Sequence, residues 1–154
     1  MKFAIAIISV LTFLVLAGFY GWLFQIWPTS WPDSDLKIST VQIEQLKQLR
    51  SEAKFHEDPK TFYPGAANEA SRVGLETAVN GTIDLIIPVT HQNPKKSSIL
   101  SIFKSVLLSL SLLDSEDKDQ LINYFNRILQ TVGVQSSNEL FNVWRYGFPY
   151  GWFN

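Results

Sequence analysis

Two histidines and no cysteine leave this chain few groups able to do chemistry. His56-Glu57-Asp58 is the densest set of metal-ligand types, but three adjacent residues cannot close a coordination sphere alone, and HExxH is absent. No metal site and no cofactor is expected. His91 sits in the polar connector VTHQNPKK and is expected to be solvated. Ser101-Ile102-Phe103-Lys104 fits the S-x-x-K spacing, in which a lysine one helical turn away activates a serine nucleophile. The companion S-D-N and K-T-G elements are missing, so a surface lysine beside a packing serine is the better account. Carboxylates distant in sequence can converge for hydrolysis, with Glu57, Asp58 and Glu69 as candidates. No catalytic residue is singled out. The chain is expected to be a binder, with a small cell-envelope hydrolase using dispersed carboxylates as the alternative.

What stands out instead is aromatic. Phe55, Phe62 and Tyr63 crowd the loop FHEDPKTFYPG, and Phe141, Trp144, Tyr146, Phe148, Tyr150, Trp152 and Phe153 crowd the end. Aromatic side chains carry much of the energy at protein interfaces. The candidate partner-binding residues are therefore Phe62, Tyr63, Trp144, Tyr146, Tyr150 and Trp152. The default for both groups is packing, with the aromatic end folding over the bundle, against Phe55, Phe62 and Tyr63.

The elements that must position these residues begin with a charge-free run from Phe3 to Trp27. A bilayer core about 30 Å thick needs ~20 apolar helical residues to cross it. Residues 1–27 are expected to be an uncleaved transmembrane signal anchor. Trp22, Trp27, Trp31 and Tyr20 lie at the lipid interface, and Pro28 and Pro32 stop the helix. A cleaved signal ending at Val15-Leu16-Ala17 is the competing reading. Asp33 and Asp35 on the far flank count for little, and Lys2 on the near one leads to the expectation of a cytoplasmic amino terminus. A single-pass inner-membrane protein with an extracytoplasmic, periplasmic domain follows.

Residues 28–35 read as a Pro/Trp linker and 36–154 as one all-α domain, a four- or five-helix bundle. Net charge is −1, with 13 basic and 14 acidic residues and no basic stripe, so nucleic acid is not an expected partner. Helices are expected at Ser39–Lys54, Ala67–Ile87, Ser97–Leu113, Ser115–Thr131 and from Ser136. Ser39/Gln42 and Ser136/Glu139 fit capping boxes, and Gly133 is a terminator. In the second helix Val73, Ala78, Val79, Ile83, Ile86 and Ile87 should turn inward. Asn80-Gly81 should bend or split it, and Pro88 should end it. The third helix, apolar nearly all round, is expected at the centre, its serines admitting a close neighbour. Asp114–Asp119 reads as helix-dipole complement.

The first domain helix, then Phe62-Tyr63-Pro64-Gly65, then mostly helical sequence, resembles a family of uncharacterised small bacterial helical domains. That resemblance implies an all-α fold from Leu36 to Asn154 and carries no activity. In architecture and place the chain is also similar to immunity proteins that neutralise toxins in the periplasm. Another protein is thus the expected partner, beside the membrane at residues 3–27; a homodimer spacing membrane complexes is the third option.

Overall fold

The computed structural model describes residues 2–25, 33–92, 94–110 and 113–147. They form helices α1 (Lys2–Gln25), α2 (Thr40–Ser51), α3 (Glu69–Thr90), α4 (Lys96–Ser109), α5 (Ser115–Thr131) and α6 (Leu140–Tyr146). Among the described residues there is no strand, only two isolated bridges, Asp35 with Lys95 and Asp58 with Tyr63. The fold class is all-α, with α2–α6 as the bundle.

Helix α1 presents exposed apolar side chains over residues 5–19. Among the described residues no helix is long and apolar enough to cross a membrane. Those of α1 whose side chains are described, 5–19, are fewer than the ~20 a crossing needs. The aromatic belt expected at Tyr20, Trp22, Trp27 and Trp31 falls outside the described side chains.

Local chemistry sets the bundle's ends. Ser39 Oγ accepts from Gln42 N and Gln42 Oε1 accepts from Ser39 N, the expected capping box. Asn68 Oδ1 caps α3 through Ser71 N at 2.9 Å. Lys95, at the N-cap of α4, makes no side-chain cap; Asp33 does that work from outside, accepting from Ser97 N at 2.9 Å and Ser97 Oγ at 2.8 Å. Burial works against the Asp33 carboxylate, but those bonds outweigh it and hold its pKa low. With Leu36 N to Pro94 O and Lys96 N to Ser34 O, they tie the chain entering the domain to the start of α4. Gly133, at φ +80°, ends α5, and Val134 N reaches back to Leu129 O.

The core is Leu46, Val79, Ile83, Ile86, Ile99, Leu100, Phe103, Leu121, Phe125 and Ile128, with their neighbours. Helix α3 is its hub, packing on α2, α4 and α5. That corrects the expectation of a central Ser97–Leu113 helix. Helix α4 stops at Ser109 and is one-sided, with Ser98, Ser101, Ser105, Leu108 and Ser109 exposed. Its serines face water, and those at 105 and 109 bond back to their own helix's carbonyls.

Helix α3 passes unbroken through Asn80-Gly81, because fully buried Val79, Thr82 and Ile83 fix both sides of the glycine. Pro88 does not end it either. So near the terminus a proline forfeits one backbone bond, and the helix runs on to Thr90, whose Oγ1 donates to Ile87 O at 2.6 Å. Val73 is exposed, and Leu75 takes the inward position. The box expected at Ser136/Glu139 does not form: Asn138 and Glu139 adopt left-handed φ of 51° and 67°, and α6 begins at Leu140.

Candidate protein-binding surface

Between α2 and α3 the chain from Glu52 to Asn68 is a loop built around its own buried side chains. Lys54 is fully buried, and its Nζ donates to Arg50 O at 3.1 Å and Glu52 O at 2.8 Å, satisfying carbonyls at the end of α2. Desolvation lowers its pKa. Phe55, also buried, packs on Tyr63 and Tyr124 with ring centroids 6.3 and 5.0 Å away. Gly65 closes the loop at φ +87°, where a Cβ would lie 3.1 Å from Glu57 N.

Within this loop, residues 58–63 form a tight turn. Asp58 and Tyr63 exchange both backbone bonds, at 2.9 and 3.1 Å. The Asp58 carboxylate accepts from Lys60 N and Thr61 Oγ1, both at 3.0 Å, bracing the turn from inside. Two neighbours then part company. Tyr63 is buried, and its hydroxyl donates to Asp117 Oδ1 at 2.5 Å. Burial first, and the carboxylate beside it second, push its phenol pKa well above the usual tyrosine value. Phe62 is 92 % exposed and holds φ at 58°. A bulky non-glycine residue there carries strain of roughly 1–2 kcal/mol. Its ring recovers nothing by burial.

The aromatic end behaves differently. Phe141 is buried, 5.5 Å from Phe103 and 5.9 Å from Phe125. Trp144 is half-buried, and its Nε1 donates to Leu107 O at 2.9 Å. Tyr146 is half exposed beneath the Arg145 guanidinium, which pairs with Asp119 at 2.6 Å. Phe148, Tyr150, Trp152 and Phe153 lie outside the described residues. Among those described, no ring contact joins α6 to Phe55, Phe62 or Tyr63; Phe141 packs on α4 and α5, and Trp144 bonds to α4. Of the six candidates, Phe62 and Tyr146 are outward, Tyr63 is structural, and Trp144 is partly so.

Asp117 is the buried partner of Tyr63 that the dipole reading missed. It lies four residues before Leu121, on the inward stripe, so its carboxylate needed a buried donor; that spacing was the available signal.

Beside the turn lies a hollow of ≈520 Å³, lined by Asp58 and Thr61 on one side and Gln120, Asn123, Arg127 and Gln130 of α5 on the other. Of Glu57, Asp58 and Glu69, Asp58 lines it. Glu69 is tied to Arg72, which lowers its pKa, the reverse of what a general acid needs. His56 and His91 are exposed, and the described residues hold no group of three ligands fit for a metal. Ser101 sits exposed on α4.

A family model described as a domain of unknown function, DUF4844, matches residues 36–149, the whole of the described bundle. The chain belongs to that family. This DUF4844 domain is similar to a solved DUF3571 family protein from Acinetobacter baumannii AYE. The TM-score is 0.65 at 28 % identity, covering 73 % of this chain and 94 % of that one. No match is found among curated proteins.

Proposed function

We propose that this chain is a membrane-tethered DUF4844 domain that binds another protein through the Phe62 turn. The observation carrying the reading is a phenylalanine held in strain and almost wholly in water, on a turn otherwise fastened by hydrogen bonds. Such a residue lowers stability twice over, and a partner that covers its ring would return the apolar burial the fold withholds. Tyr146 extends the outward aromatic set.

The tether rests on the charge-free residues 3–27 and the outward apolar side chains of 5–19. Lys2, on the amino-terminal flank, supports a cytoplasmic amino terminus with the domain on the far side of the inner membrane. Neutralising a toxin, as immunity proteins do, is the sharpest form of the reading.

A photoreactive phenylalanine analogue at position 62, in the protein's native membrane, should give one discrete adduct. The same analogue at Lys47, exposed on α2, should give none. Alkaline phosphatase fused after Asn154 should be active, and the protein should resist carbonate extraction. Equal labelling from both positions would refute the Phe62 surface; extraction into buffer would refute the tether.

A further inference from the structure

We propose that the domain stands end-on to the membrane with the Phe62 turn at its outer end, and that this turn enters an apolar pocket of a protein in the aqueous phase, not lipid. The inference rests on the tether and on Phe62 as a binding surface. A phenylalanine exposed on a braced turn suits either acyl chains or a protein pocket, and its place in the bundle decides between them.

The chain enters the domain at the start of α4, where Asp33 accepts from Ser97 N and Oγ and Leu36 N donates to Pro94 O. Helix α3 finishes at the same end, at Thr90. Gln42 Nε2, in the first turn of α2, donates there to Thr131 O at the close of α5, at 2.8 Å, and Lys96 Nζ reaches Asn138 Oδ1 at 2.6 Å.

The Phe62 turn belongs to the other end. Tyr63 bonds to Asp117 in the first turn of α5. Pro64, Gly65, Ala66 and Ala67 border a hollow with Asp114, Glu116 and Asp117, just before α3 starts at Glu69. From Asp117 to Thr131, α5 rises about 21 Å, at ~1.5 Å per residue.

Tryptophan favours the lipid–water interface, and Trp31 precedes Asp33 by two residues, a reach of at most about 7 Å. The entry end therefore stays at the headgroups, where exposed Lys37, Lys95 and Asp35 keep their hydration. The turn stands about 20 Å beyond, one α5 length away, where acyl chains do not reach. Only a protein surface in water can cover its ring.

The chain has no cysteine, so a single introduced one can carry a fluorophore. Lys60→Cys marks the turn and Lys95→Cys the entry end; both side chains are exposed. The full-length protein is placed in phosphatidylcholine nanodiscs containing a lipid with a nitroxide headgroup. The label at position 95 should lose most of its fluorescence, and the label at position 60 should keep it. Should Lys95→Cys melt early, Lys37→Cys takes its place. In the native membrane, a photoreactive phenylalanine analogue at position 62 should label protein and no phospholipid. Equal quenching at the two positions, or a phospholipid adduct, would overturn the proposal. Unequal quenching with no adduct at all would overturn the pocket together with the Phe62 surface while the orientation stands. Protein that stays out of the discs would overturn the orientation together with the tether.

Discussion

The Glu52–Asn68 loop and helix α6 are both rich in aromatics, yet they spend them differently. In α6 the rings follow helical spacing: Phe141 goes into the core, Trp144 anchors to a carbonyl, and Tyr146 is left at the surface. In the loop, a two-residue bridge turns neighbours to opposite sides, so Tyr63 is locked inside while Phe62 stands in solvent. Aromatic content therefore marks neither region as an interface. Backbone register decides which ring is packed and which stands in solvent, Tyr63 inside and Phe62 outside.

Substitutions sharpen this contrast. The largest effect should come from Phe141→Ala, about 3–5 kcal/mol of stability in chemical denaturation, because it empties a site among Phe103 and Phe125. A loss below about 1 kcal/mol would mean that α6 is merely laid on the bundle.

Tyr63→Phe should come next, at about 1.5–3 kcal/mol, since it leaves the Asp117 carboxylate buried without its donor. The fold holds that phenol protonated, its pKa raised above the ordinary 10.0. Its contribution is therefore complete below about pH 10 and is lost as pH climbs past that value. An alkaline melting series should show the limb in wild type and a flatter one in Tyr63→Phe.

Phe62→Gly should act in the opposite sense and raise stability by about 1 kcal/mol, because glycine takes a positive φ freely. A destabilised Phe62→Gly would show that the ring is packed and the contrast false. The smallest effect belongs to Glu52→Gln, which weakens a pair with Arg127 that is about half exposed. Its melting point should stay within error, as surface pairs contribute little.

Much of this was legible in residue types. Ser39 with Gln42, Gly133 and the stripe Leu121, Phe125, Ile128 and Val132 state their own roles, because caps and helical periodicity are local. What escaped depends on tertiary contact. Pro88 stays helical because it falls in the last turn, and Asn80-Gly81 stays straight because its neighbours are pinned in the core. The box at Ser136/Glu139 loses to a left-handed pair that swings Leu140 and Phe141 inward. Phe62 and Tyr63 could be named as candidates, but which of them faces water depended on a bridge closed by Asp58. Asp117 carried a readable signal in its spacing, and only the position of Tyr63 shows what answers it.

The claim on which the account turns is that Phe62 gives up folding stability for contact with a partner. Its most direct test is crosslinked capture from the native membrane by wild type and by Phe62→Gly at equal expression. The account predicts a glycine variant that melts higher yet retains little of the wild-type adduct. An undiminished adduct from that more stable variant would contradict it.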